Sequence, residues 1–348
     1  MFTICILNDD TVNLDDHGVL SESGIAQTNY WKNISREKGE IPLVFCITQN
    51  STGEKSYLLG IEKKTSFLNK LTIIDGLNFY KEDPHLIEHF CTSLLLFIKN
   101  KYDSIYLQLA IQSKLNNSPS LKNLFSKHSF THRFWQTSLL DLNLDLNQIN
   151  ANFTQTYRRY LKRKDSFGTT CHKIPPEKIL ENYYLPYHKL EKQNGRHWKL
   201  EKKIIEKHLE FDHKQRYHHY ILFNKENPCL ATLGFYIIDE IATEICSSSS
   251  IDCFTKNIPA QLLLHWEAIK EAKILGARYF NLAGINPNPQ CKKEQGIKFF
   301  KEKFGGEIVN YDIFEKKSLK YKLVSTIFTA IKKIAMAIPF LHCSREQE

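Results

Sequence analysis

Hydrophobic and polar positions in this chain change their period many times, and each change marks a new element. In the first half, residues 41–48 are β-branched and aromatic and read as a strand. Residues 56–61 and 71–80 read as further strands, the latter interrupted at Asp75 and Gly76. Residues 85–99 place apolar side chains at helical spacing. A strand follows at 104–111, a short helix at 121–127, and a strand at 134–142 that ends the unit. One long helix is expected over 146–164, stopping near Gly168.

The second half has a similar rhythm. A strand at 169–174 precedes helices at about 176–192 and 199–211. Three strands follow at 217–223, 229–238 and 241–247, joined by hairpin-like connections at 224–228 and 239–240. An amphipathic helix over 259–275 stops at Gly276, and a strand at 278–283, a short basic helix and a strand at 307–314 complete the unit. Strands with helices between them predict a mixed α/β sheet in each half, without a residue-level repeat. The boundary falls near residue 150, giving units 1–150 and 151–315 and a tail over 316–348. In that tail Leu323, Ile327, Ile331, Ile334 and Ile338 keep near-helical spacing, with Lys332 and Lys333 opposite. Such a helix docks on its own domain or lies on a membrane or partner surface.

Composition narrows the class. A chain of 348 residues, 42% hydrophobic and 24% charged, has material for a substantial core in one large or two medium domains. The net charge of +9 suits a phosphate-bearing partner or anionic membrane, but lysine spread over an ordinary solvated surface gives the same number. The nine cysteines form no CxxC pair, which points to reduced thiols. The first residues turn acidic too early for a signal peptide, and no apolar run approaches the ~20 residues of a membrane span. A cytoplasmic protein is the expectation. Among the histidines, His213, His218 and His219 cluster most tightly, but neighbouring positions of a strand face opposite ways, so no metal site is expected. Cys246 and Cys291 carry no nucleophile signature.

Two segments carry candidate chemistry. The strand ending at Gly284 is followed by a loop, a cationic helix and the Gly305–Gly306 turn, an order that can hold an anionic donor or acceptor beside a sheet edge. The densest basic run, 157–164, sets Arg158 and Lys162 one helical turn apart, as it does Arg159 and Arg163. It reads equally as a solvated face or a phosphate contact.

Taken in order, these landmarks resemble the FemAB family of aminoacyl- and acyltransferases, built from two tandem GNAT-like domains. Trp31 lies in an early helix. The strand ending at Asp75 and Gly76 is similar to the family's first-domain strand and turn. Ser126–Phe130 followed by Gln136–Leu142 is similar to its hinge strand, with Ser129 in place of the usual glycine. Arg158, Leu161 and Gly168 fit an R-x-x-[IL]…G segment, and Gly276, Gly284, Gly296, Phe300, Lys301, Phe304, Gly305 and Gly306 give the strongest match.

The resemblance implies transfer of an acyl or aminoacyl group to an amine of a cell-envelope or polysaccharide precursor. No metal and no tightly bound cofactor are needed, the donor being a co-substrate, aminoacyl-tRNA or acyl-CoA. It implies catalytic roles for Lys301, Phe300 and Glu244, with Asp141 a second candidate base. Substrate contacts fall to Arg158, Lys162, Lys256, Asn281, Gly284 and Lys298. Residues 250–259, where an acetyl-CoA enzyme of this fold carries a glycine-rich loop, hold no glycine, which favours a larger donor such as charged tRNA. Two alternatives stand beside this: an acyl-CoA-dependent N-acetyltransferase, and a non-catalytic basic module on RNA or a membrane. The tail helix makes peripheral contact at the inner membrane face a further expectation.

Overall fold

The computed structural model describes residues 2–7, 12–15, 25–76, 84–111, 113, 115–196, 201–212 and 216–337. The expected strand residues 77–80, together with His213 and Ile338, lie outside the described residues. The strands are β1 (Phe2–Leu7), β2 (Ile41–Gln49), β3 (Lys55–Lys64), β4 (Asn69–Gly76), β5 (Ser104–Leu109) and β6 (Thr131–Asp141), then β7 (Thr170–Ile174), β8 (Tyr217–Phe223), β9 (Ala231–Ile238), β10 (Ile241–Ser249), β11 (Tyr279–Ile285) and β12 (Glu307–Lys317). All join one 12-stranded sheet in the order β1-β2-β3-β4-β5-β12-β6-β11-β10-β9-β8-β7. Among the described residues, only β4–β5 and β10–β11 pair in parallel.

The sheet differs from the expected one per half. β12, the last strand of the second half, lies between β5 and β6 of the first, and β6 in turn pairs with β11. β12 and β6 stay in register from Glu307 opposite Leu139 to Glu315 opposite Thr131. Tyr311, Asp312, Ile313 and Phe314 are all buried, so both faces of β12 are covered there. Strand periodicity reports a half-buried or buried face but not which strand pairs with which.

Asp312 pins this crossing. Its carboxylate accepts the Asn117 N–H at 2.7 Å and lies 2.8 Å from His132 Nε2, and its own N–H donates to Asn116 Oδ1 at 2.8 Å. A buried carboxylate persists only with such partners.

The expected long helix over 146–164 is broken into Leu146–Asn152 and Gln155–Lys162. Phe153 leaves helical geometry (ψ 150°) to enter the core, and the Thr154 N–H donates to Lys303 O at 2.9 Å. Burying one aromatic ring outweighs continuing the intrahelical ladder over two residues. Phe304 packs there on Phe153, Tyr157, Phe300 and His265, with centroids 5.1–5.3 Å apart. A side chain at Gly305 would run into the Asn152 carbonyl, and φ is +66° there, so glycine alone fits the turn.

Asp312→Ala leaves His132 and the Asn117 N–H without their acceptor. It is expected to cost about 3 kcal/mol of stability, read as a lower urea midpoint at unchanged slope.

Candidate active site

β10 and β11 pair only from Ile241–Thr243 opposite Tyr279–Asn281, then part. Each bulges against its other neighbour, β10 against β9 between Ile245 and Ser248, β11 against β6 between Asn281 and Gly284. Cys246 (φ 49°) and Ala283 (φ 58°) take left-handed backbone at these bulges. Asn281, buried, holds the gap. Its Oδ1 accepts the Ala283 N–H at 2.8 Å and the Thr137 hydroxyl, and its Nδ2 lies 3.4 Å from Thr243 Oγ1. Gly284 lies flat against Trp135, whose indole nitrogen would overlap any Cβ.

Into the gap reaches Lys301 from the Lys292–Glu302 helix. It is 8% exposed, and Nζ donates to Gly284 O at 3.2 Å and lies 3.9 Å from Glu244 Oε2. Glu244, also buried, accepts the Ser247 hydroxyl at 2.5 Å. His265 Nε2 is 3.4 Å from Glu244 Oε2 without hydrogen-bond alignment, while its Nδ1 donates to Gln261 O at 2.7 Å. Burial pushes the Glu244 carboxyl up, but His265, Lys301 and the Ser247 hydroxyl outweigh it and hold it at about 2. Burial draws the Lys301 ammonium below the ordinary lysine range, with Glu244 opposing. A carboxylate held that low is a weak base at neutral pH. Its chemistry here is that of a counter-ion orienting Lys301, not of the general base expected from the sequence.

Gly284 also borders a cavity of about 240 Å³ on the middle of the sheet. Asn281, Ala283 and Thr137 form one side of it, and Asp75 and Gln108 the other. Asp75 sits at φ 54° beside the register shift between β4 and β5, within 3.3 Å of Gln108 Nε2. Burial raises its carboxyl to about 6, against the pull of Gln108 and the Ala26 amide. Sequence reasoning read Asp75 only as part of a turn. An ionisable side chain ending a buried parallel strand was the available signal.

The structure brings Lys301, Phe300, Glu244, Asn281 and Gly284 together. Phe300 is half-buried on His265, with its carbonyl accepting from Tyr157 Oη at 3.2 Å. Lys298 stands on the same helix, 3.5 Å from Pro287 O. The other candidates lie elsewhere. Lys256 is exposed and pairs with Glu226. Lys162 borders an outer groove with Arg159 and Arg163. Arg158 is committed to structure, because its Nη1 donates to Ala151 O and Phe153 O, both at 2.7 Å, and so caps the helix break. Asp141 holds a turn through Asn143. His218, half-buried, stacks on Phe235, and His219, buried, packs against Tyr183. Burial pushes the Cys246 thiol up to about 11, unsuited to nucleophilic work, and Cys291 is exposed.

The family model described as FemAB matches residues 142–327, more than half of the chain. No curated protein matches the chain. Among solved structures, FemX superposes with a TM-score of 0.68 at 12% identity, over 93% of this chain and 99% of that one. The C-terminal DUF2156 domain of a putative lysylphosphatidylglycerol synthetase from Agrobacterium fabrum gives 0.58 at 13%, over 93% and 96%. A tandem GNAT protein from the clavulanic acid biosynthesis pathway gives 0.55 at 10%, over 91% and 98%. At these identities the likeness is one of fold, and it is the tandem GNAT arrangement expected from the sequence.

Because Arg158 caps carbonyls, Arg158→Ala is expected to cost about 1 kcal/mol of stability, as loss of a helix cap does. Denaturant melts read the cost, and acceptor KM is expected to stay at the wild-type value.

Proposed function

The chain belongs to the FemAB family, and from that premise we propose that it transfers an aminoacyl group from an activated carrier to an amine of a cell-envelope precursor. One observation carries this reading: a buried ammonium, Lys301, stands in the gap between two diverging strands whose edge borders the cavity holding Asp75. Residues 250–259 favour an aminoacyl ester over a CoA thioester. Instead of a glycine-rich phosphate loop they contain the short helix Ile251–Thr255, capped by the Ser250 hydroxyl.

The acceptor enters as an ammonium and gives one proton to the Asp75 carboxylate. Its nitrogen attacks the ester carbonyl carbon, forming the C–N bond and moving charge onto the carbonyl oxygen. Lys301 faces that oxyanion, and a fixed charge in a dry site stabilises it without reorganisation. The C–O bond then breaks, and one of the two protons left on nitrogen passes to the departing hydroxyl oxygen of the carrier, the other staying as the amide N–H. Asn281 and Thr137 keep the gap open, and Glu244 keeps Lys301 charged.

Purified protein is to be offered labelled charged tRNAs or CoA thioesters with amine-bearing envelope precursors, and products identified by mass. Lys301→Ala is expected to lower transfer at least 100-fold. Since that variant strands Glu244, the double variant Lys301→Ala with Glu244→Gln is expected to recover stability without recovering transfer. Wild-type turnover by either would remove Lys301 from the reaction.

The rate also follows Asp75. A base with its carboxyl at about 6 is charged above that pH, so kcat/KM is expected to rise with pH through about 6. Asp75→Asn is expected to abolish that limb of the profile and lower the rate about 100-fold or more. A profile with the limb retained in Asp75→Asn assigns the proton to another group.

A further inference from the structure

The Leu319–Ala337 helix leaves β12 beside the first half and rests on the β3–β4 turn. Its inward face is Tyr321, Val324 and Ser325, with Lys70 Nζ 5.2 Å from the centre of the Tyr321 ring. The residues pointing outward are as apolar as those pointing in. Leu319, Leu323, Ile327 and Ile331 recur every fourth position and are 79%, 66%, 56% and 56% exposed. They form a stripe roughly 18 Å long. Phe67, at the tip of the adjoining turn, is 61% exposed and borders the same groove as Phe328. An apolar surface of this extent on a soluble face marks an interaction site.

Charge selects the occupant. From Lys316 to Ala337 the chain carries six lysines, at 316, 317, 320, 322, 332 and 333, and no acidic residue. A second copy docked on this face would set its own lysine-rich segment against this one. Lys317 and Lys320 already pair with Glu315 and Asp103, but the segment keeps a net positive charge. An anionic bilayer supplies an apolar phase for the stripe and further counter-charge for the lysines. No helix among the described residues is long and apolar enough to cross a membrane, so this one lies along the surface. We propose that the outward face of the Leu319–Ala337 helix, with Phe67 beside it, seats the protein on anionic lipid. This surface is independent of the catalytic reading above.

The test is co-sedimentation of the full chain with vesicles of phosphatidylcholine alone or mixed with phosphatidylglycerol. Binding is expected to be at least tenfold stronger on the mixed vesicles and to weaken as salt is added. Leu323→Glu combined with Ile327→Glu is expected to weaken it at least tenfold. Both side chains are solvent-exposed, so circular dichroism and the thermal midpoint should match wild type. Lys322→Ala is expected to weaken it about fivefold. Equal binding to both vesicle types, or no binding, overturns the proposal. So does a concentration-dependent dimer in sedimentation that the double variant abolishes while vesicle binding persists.

Discussion

Two parallel strands that pair for three residues and then part set the terms for everything around them. Each backbone group released at the parting of β10 and β11 needs another partner. Asn281 supplies one for the Ala283 N–H, and Lys301 supplies one for the Gly284 carbonyl. Lys301 can do so only because Phe304, one turn further on, is locked among Phe153, Tyr157 and His265. The same aromatic cluster breaks the preceding helix at Phe153, and Arg158 then caps the carbonyls exposed by that break. A gap in a sheet, a helix break more than a hundred residues earlier in the chain and a buried lysine are thus one packing solution.

The charges in the gap stand or fall together. A lone buried lysine sheds its proton, and a lone buried glutamate takes one. Placed near each other, Glu244 keeps Lys301 cationic, and Lys301 and His265 keep Glu244 anionic. His265 is oriented by its Nδ1–H on the Gln261 carbonyl, so Nε2 can donate towards Glu244 only when the ring carries a second proton. The group resembles a buried ion-pair network more than an acid–base dyad. A network of that kind contributes little net stability, while fixing where one positive charge points.

Much of this was legible in the sequence. Strand and helix periodicity placed most elements within a few residues, and the run from Gly276 to Gly306 drew attention to Lys301 before any geometry was known. What escaped reading was non-local. The exchange of β6 and β12 rests on register between strands well over a hundred residues apart, which no window reports. Asp75 looked like a turn residue because Asp-Gly is common in turns, while its raised carboxyl comes from a cavity built by both halves. His265 was not singled out, being one polar position in the helix expected over 259–275. The basic run at 157–164 was conspicuous, yet Arg158 serves the backbone, because a guanidinium meets two carbonyls as readily as a phosphate.

The exchange also explains why the cavity has two kinds of wall. Among the described residues each half contains one parallel pair that is interrupted: β4–β5 shifts register beside Asp75, and β10–β11 parts after Asn281. In separate sheets these two irregularities would face separate solvent. With β12 and β6 inserted between them, β5 and β11 become members of one sheet, and Thr137 of β6 and Tyr311 of β12 line the floor joining the two. The carboxyl belongs to one half and the ammonium to the other, so neither half alone holds the arrangement. Asp312, next to the cavity-lining Tyr311, therefore bears on the site by holding the crossing strand in register.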